Sequence, residues 1–376
     1  MPINEPLLDG RELEYVTECI RDGWISSAGR FVDAFEREWA AYCGRKHGVA
    51  VSNGSAALQA ALAVLDLEEG DEVVLPTFTI VSCVTAVLAA GATPVLVDSD
   101  PRTWCMDAGQ VEEKLTGRTR AIMPVHIYGH PVDLDPLLGL AAERDIVIVE
   151  DAAEAHGAEY LTGRDTGSPE WKRCGGFGEL SSFSFYANKI VTTGEGGMVL
   201  TDSDELAERL RLYRNLGFRP ERRFLHDTIG FNLRLTNVQA AIGVAQIERA
   251  EQTVERKREV GRAYTERLRD LPGLELQAEE PWARSVFWMF GVVLAEETGL
   301  DAPGLASLLA ERGVESRPFF LGMHEQPVFL ARGLFSGESY PTAERLARQG
   351  LYLPSGTALT DGQVERVCDA LAEVLA

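Results

Sequence analysis

DIVIVED, residues 145–151, is an apolar run closed by two carboxylates. It is too short for a helix and apolar through its middle, as a strand buried on both faces is. Four similar runs precede it: GVAVSN (48–53), DEVVLP (71–76), TPVLVDSD (93–100) and RAIMPVHI (120–127). Between them, helical spacing is predicted at about Ser55–Leu65, Val81–Ala89, Ala108–Leu115 and Leu134–Arg144. Strands alternating with helices predict a parallel sheet covered on both faces, an α/β architecture. Ligands of such sheets collect beyond the carboxyl ends of the strands.

Two strand ends carry suitable chemistry. After the first run, Ser52-Asn53-Gly54-Ser55-Ala56-Ala57-Leu58 turns directly into a helix whose first amides are open to an anion. A plain N-cap by Asn53 or Ser55 accounts for the same residues. After DIVIVED, Asp151 is a carboxylate at the end of a buried strand, and it asks for a cation or a protonated nitrogen. A salt bridge to an arginine is the alternative. Further on, SSFSFYANKIVTTGEGG (181–197) sets Lys189 between an apolar strand and the glycines Gly194, Gly196 and Gly197. Desolvation there lowers a lysine's pKa and frees its amine as a nucleophile, while the glycines let backbone approach a bound group. Alone, the lysine reads more readily as an edge-of-strand surface residue.

The rest of the chain sets bounds. A length of 376 residues with 45% hydrophobic and 25% charged residues predicts a large domain, 1–250, and a smaller one, 251–376. A net charge of −22 argues against nucleic acid or an anionic membrane as partner. The six cysteines include no C-x-x-C pair, so neither a metal site nor a disulfide framework is expected, and a reducing cytoplasm fits. No signal peptide or membrane span is predicted. Near the amino terminus, Leu13, Val16 and Ile20 fall at helical spacing, and Val32–Tyr42 forms a second helix. A helix from about Asn237 is expected to continue through VERKREVGRAYTERLRDL as a long solvated connector. Beyond it, WARSVFWMFGVVLA (282–295) reads as one strand, APGLASLLAERG (302–313) as a helix and VESRPFF (314–320) as a strand.

A nucleophilic amine, an anion cradle and a buried carboxylate are together what pyridoxal 5'-phosphate requires. The amine bonds the cofactor, the cradle holds its phosphate, and the acid keeps its pyridine nitrogen protonated.

The series PLLDGRELEYV, GWISSAGRFV, NGSAALQAAL, VEDAAEAHGA, FSFYANKIVTTGEGGMV and GFNLRLTNVQAAIG resembles the nucleotide-sugar aminotransferases of the DegT/DnrJ/EryC1/StrS family over essentially the whole chain. The resemblance implies a fold type I, aspartate-aminotransferase-like enzyme. Its large domain would hold a mostly parallel seven-stranded sheet, and a small α+β domain would follow. It implies a homodimer with shared active sites that moves the amine of L-glutamate to C4 of a 4-keto-6-deoxy nucleotide sugar. GDP-4-keto-6-deoxy-D-mannose is the substrate favoured, with dTDP- or UDP-linked keto sugars as alternatives.

By position, Lys189 matches the Schiff-base lysine, Asp151 the pyridine-nitrogen partner and Glu154 the residue near the ring hydroxyl. Gly54, Ser55 and Ser184 match phosphate contacts, with Asn232 as the contact from the other subunit. Ile80 stands where the family often stacks an aromatic residue on the cofactor ring; its branched side chain would cover the ring by dispersion instead. His156 is expected to be a hydrogen-bonded core residue. For the sugar nucleotide the resemblance points to Trp24, Ser26, Ser27, Trp288, Arg317 and His324, with Arg317 suited to a diphosphate or donor carboxylate. Related sugar dehydratases replace the lysine by histidine, so Lys189 argues against dehydration. The intact lysine, aspartate and phosphate loop argue against a non-enzymatic regulator.

Overall fold

The computed structural model describes residues 1–164, 166–219, 222 and 224–376. Nine strands lie in the first part of the chain: β1 (His47–Val51), β2 (Glu72–Pro76), β3 (Thr93–Val97), β4 (Thr119–Ile122), β5 (Val147–Asp151), β6 (Glu159–Thr162), β7 (Glu170–Arg173), β8 (Leu180–Ser184) and β9 (Gly197–Thr201). Seven of them form one sheet in the order β1-β9-β8-β5-β4-β2-β3. The run from β8 through β5, β4 and β2 to β3 is parallel, whereas β9 is antiparallel to both its neighbours. The predicted mostly parallel seven-stranded sheet is present, and the five apolar runs are its strands because helices cover both their faces. Helices Gly54–Ala63, Val81–Ala89 and Leu134–Arg144 follow β1, β2 and β4.

A second sheet, ordered β10-β12-β14-β13, comes from β10 (Leu274–Leu276), β12 (Phe290–Leu294), β13 (Arg317–Pro318) and β14 (Gly350–Leu353). The intervening β11 (Ala283–Arg284) joins β6 and β7 in a three-stranded sheet. Residues 282–295 therefore do not form one strand. The chain leaves one sheet after Arg284 and enters the other at Phe290, bending through Phe287 at φ +46°. The strand expected over 314–320 contracts to two residues.

Three expectations about helices change. The amino-terminal helix Glu12–Asp22 buries Glu12, Tyr15 and Cys19, so Leu13 and Ile20 point outward, 80% and 64% exposed. The helix from Asn237 ends at Ile247, and a separate one spans Ala250–Leu268. That second helix is not simply solvated, since Val254, Lys257, Val260, Tyr264 and Leu268 bury one face. The amino-terminal segment lies along the carboxyl-terminal part of the chain: the Met1 amine donates to Gly313 O, and Ser355 N–H donates to Ile3 O. Among the described residues no helix is long and apolar enough to cross a membrane.

Candidate active site

The carboxyl ends of β1, β5 and β8 and the turn after β2 open onto one cavity of about 600 Å³. Its lining includes Gly54, Ser55, Ile80, Asp151, Glu154, Ser184, Lys189 and Trp288, eight of the residues singled out from sequence. It also includes Thr79, Ser82, Tyr186, Asn188, Phe320 and Tyr352, which the sequence reading missed. Thr79 and Ser82 follow directly on the DEVVLP strand, so strand-end position was a usable signal. Tyr352 lies on β14 and Phe320 two residues past β13, and nothing local marks them.

The turn after β1 works as a cradle through close packing. Asn53 caps the helix by accepting from Ala56 N–H at 2.8 Å. Among the described residues none accepts the amides of Gly54 and Ser55, so they stay at the positive end of the helix dipole. Ser55 Oγ lies 2.6 Å from Ser82 Oγ. A Cβ on Gly54 would meet Ser184 Cβ at 2.6 Å, and one on Gly197 would meet Asn53 O at 2.2 Å. Gly197 is thus required by the packing of β9 against this turn. Gly194, Gly196 and Gly197 are not among the described lining residues, whereas Glu195 between them is.

Asp151 is 2% exposed. Its Oδ1 accepts from Ala153 N–H at 3.1 Å, and Oδ2 accepts from the Cys83 thiol at 3.3 Å. Among the described residues no arginine pairs with it, so the salt-bridge alternative does not hold. Burial pushes its pKa up, opposed by the Ala153 amide and Cys83. A buried carboxylate held only by neutral donors is suited to receive a cationic N–H.

The Lys189 ammonium lies 3.8 Å from Glu154 Oε1, and both side chains are about nine-tenths buried. Glu154 Oε2 accepts from Tyr128 N–H at 2.7 Å. Burial raises the Glu154 pKa and lowers that of Lys189, and each group's charge opposes the shift of the other. Burial thus moves Lys189 toward the free amine that a nucleophile needs, while the Glu154 charge works to keep the proton on it. The surface-residue reading of Lys189 is excluded by its burial.

The donor set fits pyridoxal 5'-phosphate. A cradle that glycine alone fits, a cation-seeking carboxylate and a buried amine face the same space.

His156 is a core residue: Nδ1 accepts from Val191 N–H at 3.2 Å, and the ring packs against Trp39, Phe183 and Phe185. His126, Glu150 and Cys174 bring ligand-type atoms within 4.8 Å of one another in the core. His126 Nδ1 accepts from Val132 N–H, so Nε2 carries the proton and donates to Glu150 at 2.8 Å. Glu150 also accepts from the Gly175 and Phe177 amides, which satisfies the carboxylate without an ion.

Several residues expected at the substrate, and Asn232, expected at the other subunit's phosphate, lie elsewhere in this chain. Trp24, Ser26, Ser27, Asn232, Arg317 and His324 are not among the described residues lining the cavity. Trp24 O and Ser26 O accept from Asn237. Ser27 lines a separate recess of about 520 Å³ that Arg211, Arg214, Arg219 and Arg234 also line. Arg317 is exposed and 3.5 Å from Glu315, on the strand that pairs with β14 at Tyr352. His324 is buried between Thr77, 2.7 Å from Nδ1, and Glu344, 3.3 Å from Nε2.

Comparison with known proteins agrees with this geometry. Over 98% of its length, the chain is 42% identical to GDP-perosamine synthase of Caulobacter vibrioides, covering 97% of that protein. It is 38% identical to GDP-perosamine synthase of Escherichia coli O157:H7, over 99% of this chain and 98% of that one. Among solved structures, the aminotransferase TlmJ from Streptoalloteichus hindustanus matches with a TM-score of 0.90 at 32% identity, covering 100% of this chain and 98% of that one. A family model matches residues 6–372, and the chain belongs to the DegT/DnrJ/EryC1/StrS aminotransferase family.

Proposed function

We propose that this aminotransferase uses pyridoxal 5'-phosphate to move the amino group of L-glutamate to C4 of GDP-4-keto-6-deoxy-D-mannose, giving GDP-perosamine. The observation that carries the reading is the convergence of Lys189, Asp151 and the Asn53–Ser55 turn on one cavity. The GDP-sugar is supported by the relatives named GDP-perosamine synthase. When bound, the cofactor supplies an electron sink for the carbon that gives up its proton. Lys189 binds it and moves protons at its Nζ, which burial favours as the free amine. Asp151 holds a proton on the pyridine nitrogen, and Glu154 stands by the ring hydroxyl. Ser55, Ser184 and the amides of Gly54 and Ser55 hold the phosphate, and Ile80 covers a face of the ring.

The active sites are shared in a C2 dimer, with Asn232 reaching the partner's phosphate site. Supporting this are exposed large apolar side chains outside the cavity, Leu13, Ile20, Trp24 and Ile25 near the amino terminus and Val81 and Phe231 elsewhere. Trp24, Ser26, Ser27 and Arg317 take part in holding the sugar nucleotide in that assembly. The division into cofactor-binding and small parts falls at residue 250, where the helix Ala250–Leu268 begins. Cytoplasmic residence is supported by the six free cysteines.

The test offers GDP-, dTDP- and UDP-linked 4-keto-6-deoxy sugars with glutamate and follows amination by mass. Preferred amination of the GDP sugar is expected, and preference for another base would overturn the substrate. Lys189→Ala is expected to abolish both transfer and borohydride-trappable cofactor linkage; trapping at a different lysine would overturn the site.

A further inference from the structure

Lys257 lies within the helix Ala250–Leu268, 2% exposed, and no carboxylate of the described residues pairs with it. Its ammonium donates to the carbonyls of Trp288, at 2.9 Å, and Ser355. Burial holds its pKa down to about 7. A buried cation satisfied by carbonyls alone is costly, and an apolar residue would fill the same space more cheaply. What Lys257 holds is therefore informative. Trp288 is gripped at its other end too, because its indole N–H donates to Asn188 O at 2.8 Å. Asn188 O also accepts from Asn4 Nδ2 at 2.6 Å. The ring is thus fixed through its backbone by Lys257 and through its edge by the residue preceding Lys189. Lys189 Nζ sits 3.5 Å from the centroid of that ring.

We propose that the Trp288 ring, clamped by Lys257, is the seat on which the Lys189 amine rests whenever it is not bonded to the cofactor, which makes Trp288 and Lys257 positioning residues of the transfer. The inference rests on the reading of Lys189 as the catalytic amine. An indole face attracts an ammonium through its quadrupole yet accepts no proton from it. The amine is therefore kept beside the cavity without being committed to the Glu154 carboxylate 3.8 Å away. Trp288 was expected to contact substrate, and it lines the cavity; the seat is a further role for the same ring.

Two measurements test the seat. Full-length protein freed of cofactor and carrying ε-¹³C lysine is expected to show the Lys189 methylene, identified by its loss in Lys189→Ala, displaced upfield by the ring current. Trp288→Leu should return it to the ordinary lysine position, Trp288→Phe should keep part of the displacement, and Lys257→Met should reduce it. In the holoenzyme, Trp288→Leu should lower kcat about tenfold with both KM values unchanged within about twofold, the loss of one desolvated cation–π contact. An undisplaced Lys189 signal in the wild type would overturn the proposal. So would a Trp288→Leu variant that raises the sugar-nucleotide KM at unchanged kcat. If Lys257→Met does not fold, the Trp288 variants still decide. The resonance reports the seat whether or not Lys189 is catalytic, and Lys189→Ala transfer and trapping report that separately.

Discussion

Gly54 and Ser184 face each other across the start of a helix and the end of β8, so closely that a Cβ on residue 54 would stand 2.6 Å from Ser184 Cβ and 3.0 Å from its Oγ. Gly54→Ala must push the turn away from the strand, and overpacking of that kind costs about 1–3 kcal/mol. Because the displaced amides are the ones assigned to the phosphate, the cofactor should bind about tenfold more weakly or worse. Titrating cofactor-free full-length protein with pyridoxal 5'-phosphate measures this. Wild-type affinity in Gly54→Ala would mean that the phosphate is held elsewhere.

Among the described residues, Asp151 has only the Ala153 amide and the Cys83 thiol as donors to its side chain. Asp151→Asn keeps the shape and removes the charge that would hold a proton on the cofactor ring. Turnover should fall by about 100-fold, the scale of losing one preorganised electrostatic partner in a closed site. Cys83→Ser, which keeps a donor to Oδ2, should cost far less. Near-normal kcat in Asp151→Asn would remove the residue from the chemistry.

How much could be read beforehand follows from which forces are local. The central strands were legible because burial on both faces leaves an unbroken apolar run, as in DIVIVED. Lys189, Asp151 and the Asn53–Ser55 turn were legible because each breaks a local rule: a lysine inside an apolar stretch, a carboxylate ending a buried strand, an open helix start. The outward face of Leu13 and Ile20 was not legible, since helical spacing fixes which residues share a side and leaves open which side meets the core. The same limit applies to Lys257. In VERKREV it is one more charge in a charged helix, and its contacts with Trp288 and Ser355 come from segments 31 and 98 residues away. The exchange of sheets between Arg284 and Phe290 is likewise a tertiary choice that a continuous apolar run does not reveal.

His156 supplies a pH dependence of stability. Burial holds its pKa down to about 3, against about 6.5 in an unfolded chain. Between those values the unfolded chain carries the proton and the folded one does not. Its contribution is therefore complete above about pH 6.5 and is lost as the pH falls. His156→Gln should reduce the acid-side slope of unfolding free energy by about 1.4 kcal/mol per pH unit, one proton's worth. Urea unfolding of wild type and variant at several pH values between about 4 and about 6 gives the two slopes directly. Parallel slopes would show that His156 takes up its proton in the folded enzyme.

Asn232 and Lys189 test the shared site together. If each site takes Lys189 from one subunit and Asn232 from the other, a mixed dimer of Lys189→Ala and Asn232→Ala chains holds one doubly defective site and one fully wild-type site. Random reassortment makes half the dimers mixed, so mixing two impaired proteins should restore about a quarter of wild-type activity. If Asn232 instead serves its own subunit, every site carries one defect and mixing yields only the average of the two parents. The reassortment is done by denaturing and refolding the proteins together with cofactor, with each variant refolded alone as reference. Activity equal to that average would rule out the shared phosphate contact, and recovery well above it requires that Asn232 cross to its partner.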